Sequence, residues 1–142
     1  MILIDANLLI YAYDESSQFH PRTREWLGGI FDTEPAIGLP WISILAFLRL
    51  TTSSAARFPQ PLEIAAAIVD DWLVRPNVRT IGPGERHWDI LKRIAAEGQA
   101  RGALFTDAAL AALAIEYGAR LCTADRGFAR FAGLRFINPL AE

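Results

Sequence analysis

Three aspartates occupy positions suited to metal chemistry. Asp5 ends the apolar run Ile2-Leu3-Ile4, Asp107 lies in Thr106-Asp107-Ala108-Ala109-Leu110, and Asp125 follows a second apolar run in Leu121-Cys122-Thr123-Ala124-Asp125. Carboxylates gathered in one place raise one another's pKa and cost stability unless a cation neutralises them. Their oxygens are hard ligands, so the expected ion is Mg²⁺ or Mn²⁺, which usually keeps waters and pairs with substrate phosphate. Such an ion lowers the pKa of a water, aligns a phosphate for in-line attack and offsets charge on the leaving oxygen, which is the chemistry of phosphodiester hydrolysis. The two histidines, His20 and His87, lie outside these motifs. That disfavours a metal-free mechanism built on a histidine acid–base pair.

Each acid also has a structural explanation. Asp5 or Asn7 could cap a helix, Asp107 could face a helix dipole from the first turn, and Asp125 could form an Asx-turn before Arg126-Gly127. Asn7 and Thr123 could position a ligand or water, or serve as a cap and a strand end. It is the combination that points to a site.

Those side chains need elements to hold them. Apolar runs at Ile2 to Ile4, Ala36 to Leu39, Val78 to Ile81, Arg120 to Thr123 and Leu134 to Ile137 are expected as strands. Stripes of helical period lie between them: Trp26, Leu27, Ile30 and Phe31; Ile64, Ile68 and Trp72 with Ala65, Val69 and Leu73 beside them; Trp88, Leu91, Ile94 and Ala95; and Leu110, Leu113, Ala114 and Tyr117. Each stripe is expected to face a core. Gly118 stands where a helix C-cap favours glycine, and Pro76 and Gly82-Pro83-Gly84 punctuate other boundaries. Strands separated by helices imply parallel pairing through right-handed crossovers, hence a layered α/β domain. In such sheets ligands bind beyond the carboxyl ends of the strands, where strand order reverses. Asp5 and Asp125 are both expected at such ends.

The 142 residues suit one domain, residues 1–142, with a charged fraction of 21% and a hydrophobic fraction of 52%. The run Met1 to Ile4 is too short for a secretory signal, and no apolar stretch approaches the ~20 residues of a membrane span. A cytoplasmic location is the expectation. Cys122 is the only cysteine and reads as a small buried hydrophobe. Net charge is −2, so nucleic acid must be held by local rather than global positive charge. Lys92 is the only lysine; the arginine bias fits bidentate phosphate contacts or, more simply, coding preference.

Taken together, Ile4-Asp5-Ala6-Asn7, the run from Thr106 to Ala114 and Thr123-Ala124-Asp125-Arg126-Gly127-Phe128 resemble the PIN domain. Phe47-Leu48-Arg49-Leu50-Thr51, Phe128-Ala129-Arg130-Phe131 and Asn138-Pro139-Leu140 resemble the actinobacterial branch of the VapC toxins. The resemblance spans essentially the whole chain. It implies a three-layer α/β/α fold with strand order 3-2-1-4-5, and Asp5, Asp107 and Asp125 as metal ligands. It further implies an endoribonuclease, often a homodimer, that a cognate VapB antitoxin holds inactive. The mid-chain helix, apolar nearly all round, suits burial or a partner surface. Many PIN domains carry a glutamate in that helix, where Ala46 stands here, and no acid occurs between Glu34 and Glu63. Arg49, one turn beyond Ala46, could meet RNA phosphate or serve a structural hydrogen bond.

Two other readings compete with a ribonuclease. A non-catalytic relative that binds antitoxin or RNA is suggested by Ala46. A receiver-like signalling domain fits the length and the acids at strand ends, but the only lysine, Lys92, lies mid-helix and not at the end of the last strand.

Overall fold

A computed structural model describes residues 1–141. Its sheet has five strands: β1 (Ile2–Ile4), β2 (Ile37–Pro40), β3 (Val78–Ile81), β4 (Arg120–Cys122) and β5 (Phe136–Ile137), in spatial order β3-β2-β1-β4-β5. Every pairing is parallel, with Leu3 opposite both Gly38 and Leu121. The helices are α1 (Ala6–Tyr13), α2 (His20–Thr33), α3 (Trp41–Thr52), α4 (Leu62–Leu73), α5 (His87–Glu97) and α6 (Leu104–Glu116), with a short 3-10 turn at Arg126–Arg130. The expected fold class and strand order are both present.

Strand periodicity divides the interior into two cores, because successive side chains leave a strand on opposite faces. Ile2 and Ile4 of β1, Ile37 and Leu39 of β2 and Cys122 of β4 join Leu8, Leu9, Leu27, Phe47 and Trp72 from α1 to α4. Leu3 and Leu121 turn the other way, onto Ile90 and Ile94 of α5 and the alanine-rich face of α6. Small residues let α6 lie close against the sheet. Its C-terminus closes as the glycine signal implied: Gly118 adopts φ +62°, Gly118 N–H donates to Ile115 O at 3.1 Å, and Ala119 N–H donates to Ala114 O at 2.8 Å. Burial raises the Cys122 thiol to about 11, so it serves as a core hydrophobe.

Several expectations need correction. Trp88 does not face a core; it is 64% exposed, and the buried seam of α5 is Ile90, Ile94 and Ala95. On α4, Ile64 is exposed, while Ala65, Val69 and Trp72 of the same expected stripe carry the packing. One large residue at helical spacing is a weak sign of the inward face when the seam lies two positions along. The fifth strand is only Phe136–Ile137, since Leu134 sits in the turn that precedes it. Helix α3 divides: Ile44 and Phe47 are buried, while Trp41, Leu45 and Leu50 remain exposed. Among the described residues no helix is long and apolar enough to cross a membrane.

Gly38 shows how tightly the central strands are covered. A Cβ there would collide with the Leu3 side chain and stand 2.7 Å from Ile81 Cγ1. Gly38→Val should therefore cost about 1–3 kcal/mol by overpacking, read as a lower urea midpoint at unchanged m-value. An unchanged midpoint would contradict the packing described.

Candidate active site

The carboxyl ends of β1 and β4 lie side by side at the place where strand order reverses, since the chain passes from β1 outward to β2 and β3 and then returns to β4 on the other side. The reversal leaves a crevice there. Asp5 follows β1 directly, and Thr123 and Asp125 follow β4. Asp107 enters from the first turn of α6, the helix that leads into β4.

Thr123 ties the edges together. It is fully buried, and its Oγ1 donates to Asp5 Oδ2 at 2.7 Å while accepting from Asn7 Nδ2 at 3.3 Å and from Asp125 N–H at 3.1 Å. A hydroxyl has one donor and two acceptor positions, so all three are used. Asn7 completes the crossing, its Oδ1 accepting from Ala124 N–H at 3.4 Å. Asn7 lies inside α1 and does not cap it, while Asp5 occupies the N-cap position without a side-chain capping bond. The structural reading does hold for one oxygen of Asp125, whose Oδ1 accepts from Gly127 N–H at 2.7 Å and caps the 3-10 turn.

Burial first, and neighbouring carboxylate charge second, perturbs two of the three acids. Burial pushes the Asp5 carboxyl above its ordinary value, and the negative charges of Asp107 and Asp125 push it further; hydrogen bonds from Thr123 and the Ala6 backbone oppose this. Asp107 is also raised, by burial and then by Asp125, with the Arg130 guanidinium working against the rise. None of the three aspartates enters an ion pair among the described residues. Arg130 carries a role that sequence reasoning missed, because one arginine in Arg126-Gly127-Phe128-Ala129-Arg130 does not announce which carboxylate it faces. Arg49 makes no hydrogen bond or ion pair to these acids among the described residues, and α3 contributes Ala46 and no carboxylate.

The donor set is all carboxylate oxygen, short of positive charge, and of the kind a hard divalent ion takes. Among the described residues no group of three or more His, Cys, Asp or Glu side chains stands close enough to hold one ion directly. One Asp5 oxygen is engaged by Thr123 and one Asp125 oxygen by Gly127. That spacing suits an ion that keeps several waters and takes one or two carboxylates directly, as Mg²⁺ does.

The PIN-domain family profile matches residues 2–134. Ribonuclease VapC37 of Mycobacterium tuberculosis is 40% identical, the alignment covering 99% of both chains, and Ribonuclease VapC33 of the same species is 38% identical over the whole of both. Among solved structures, VapBC2 from Rickettsia felis bound to a promoter DNA fragment superposes with a TM-score of 0.71 at 20% identity, covering 97% of this chain and 98% of that one. The chain belongs to the PIN-domain family, in its VapC group.

Proposed function

We propose that this protein is the toxin component of a type II toxin–antitoxin pair, an endoribonuclease that uses Mg²⁺ or Mn²⁺ to hydrolyse RNA phosphodiester bonds. The carrying observation is the placement of Asp5, Asp107 and Asp125 around the sheet's switch point, none of them in an ion pair among the described residues. Full-length likeness to proteins named ribonucleases supports the reaction class, and the VapBC assemblies among the structural neighbours support a VapB-type partner. The exposed apolar side of α3, with Leu45 61% exposed, supports an assembly partner, either the antitoxin or a second copy in a homodimer.

Asp5, Asp107 and Asp125 would hold the ion, some of them through its waters. When bound, the ion supplies a water of lowered pKa and compensates phosphate charge. The chain's own residues set the geometry. Thr123 fixes the Asp5 rotamer by its 2.7 Å hydrogen bond, and Asn7 locks the β1 edge against the β4 edge. Asp125, on the exposed side, keeps Oδ2 clear of the capping bond that its other oxygen accepts.

Purified protein should cleave RNA with Mn²⁺ or Mg²⁺ and lose that activity in chelator; Asp5→Asn should lower the rate by roughly 100-fold or more. Cleavage that survives chelator, or that Asp5→Asn leaves intact, contradicts the metal role. A wild-type protein inert with every divalent ion but tight for its antitoxin would instead make it the non-catalytic binder that Ala46 suggests.

The raised carboxyls fix the pH dependence. Asp5 and Asp107 keep their protons in the folded state above 3.8, where the unfolded chain has released them, so their contribution to metal-free stability is present below that value and lost as pH rises through the raised folded values. Protons and metal compete for these groups. At ten times its Kd, Mn²⁺ should therefore raise Tm by roughly 3–8 °C at pH 7 and progressively less as pH falls through the raised carboxyl values. Asp107→Asn should remove most of the gain. A gain independent of pH, or untouched by that substitution, would contradict this assignment.

A further inference from the structure

The run Asn138-Pro139-Leu140 lies outside the three acidic motifs, and the carboxylate site makes no direct use of it. Its residues suit a rigid turn: an asparagine that can bond its own backbone two residues on, then a proline that presets φ. Both signals are realised. Asn138 Oδ1 accepts from Leu140 N–H at 2.9 Å, and Asn138 O accepts from Ala141 N–H at 3.2 Å. The turn sends Leu140 inward, where it is buried with Leu8, Leu9 and Leu27 in the core on the α1–α4 side of the sheet. Arg22, in the first turn of α2, closes it from outside, its Nη2 donating to Leu140 O at 2.6 Å.

That turn is joined directly to the strand beside the site. β5 is an edge strand of two residues, paired with β4 alone. So short a strand has little hold of its own, and Ile137 is 42% exposed. Its ends are secured by what flanks it, with Phe131 buried upstream and Leu140 buried downstream. Between those anchors Leu121 N–H donates to Arg135 O at 2.9 Å, and Thr123 N–H donates to Ile137 O at 3.0 Å. The second bond bears on the site. Thr123 is the residue whose Oγ1 donates to Asp5 Oδ2 at 2.7 Å and accepts from Asp125 N–H at 3.1 Å. An unbroken path runs from Arg22 through Leu140, Asn138 and Ile137 to Thr123 and Asp5, each step a covalent neighbour or a hydrogen bond.

We infer that residues 138–140 and Arg22 form a latch that holds Thr123, and through it the Asp5 carboxylate, in place, which makes Arg22 and Asn138 positioning residues of the site. Neither makes a hydrogen bond or ion pair to the three aspartates among the described residues, so both act through β5. The inference rests on the metal-dependent ribonuclease reading for what the site does, and not for the latch itself. A residue that only supports the fold would, when lost, weaken every strand alike. Loss of the latch instead opens β5 and frees Thr123, while β2 stays held by its own neighbours, because it pairs with β1 and β3 and is buried along its whole length.

The test is amide hydrogen exchange, read residue by residue by NMR on the full chain without metal, beside calorimetric titration of Mn²⁺. Arg22→Ala and Asn138→Ala should each lower protection of the Thr123 amide by roughly tenfold, the scale of one lost hydrogen bond. The Ile37 amide, which donates to Asn77 O at 2.8 Å, should stay within about twofold of wild type. Asn138→Asp keeps the acceptor oxygen and should retain Thr123 protection. Mn²⁺ Kd should rise by roughly threefold or more in the two alanine variants and not in Asn138→Asp. Thr123 protection that is unchanged, or that falls together with that of Ile37, overturns the latch. So does a selective loss at Thr123 that leaves the Mn²⁺ Kd where it was. A wild-type protein that binds no Mn²⁺, while Thr123 still opens selectively in the alanine variants, supports the latch and contradicts the metal reading.

Discussion

Carboxylates drawn to the shared edge of β1 and β4 with no ion pair among the described residues are the constraint on which the functional account depends. Parallel pairing of Leu3 with Leu121 and Ile4 with Cys122 brings the ends of these strands into register, and the residues that follow must then share one small volume. Asp5 and Asp125 follow those strands and Asp107 approaches from the first turn of α6; burial first, and neighbouring carboxylate charge second, raises Asp5 and Asp107. The Arg130 charge acts on Asp107, but none of the three enters an ion pair among the described residues, so the arrangement reads as a site that a cationic ligand completes.

The two cores explain why that edge can be held rigid. Leu3 and Leu121 clamp the strands onto α6 from one side, while Ile4 and Cys122 reach Leu8 and Leu9 of α1 on the other. Asp5 and Asn7 are therefore fixed by the packing of α1, and Asp107 by the alanine face that lets α6 approach the sheet. Thr123 then converts proximity into defined geometry, spending its full hydrogen-bonding capacity within the site. Catalytic groups placed on strand ends and helix starts hold position better than groups on loops.

Much of this was legible in the sequence because it depends on pattern. Short apolar runs marked the strands, Gly118 marked the end of α6, and three acids at element boundaries marked the candidate site. The rest depends on what meets what in space. Thr123 reads as a strand end until Asp5 is seen 118 positions away across a 2.7 Å hydrogen bond. Arg130 gains meaning only beside Asp107. Spacing alone points Trp88 inward, yet the buried seam of α5 is Ile90, Ile94 and Ala95, and the Trp88 ring lies exposed. Ala46 is the clearest departure from the family pattern, and it leaves α3 without a carboxylate to offer the site.

A Mn²⁺-soaked crystal read by anomalous diffraction tests the central claim most directly. The account requires an anomalous peak in the crevice between β1 and β4, with at least one oxygen of Asp5, Asp107 or Asp125 in direct contact and the others reached directly or through ordered water. A crevice without a peak at saturating Mn²⁺, or a peak bound elsewhere while the three carboxylates stay apart, would contradict it.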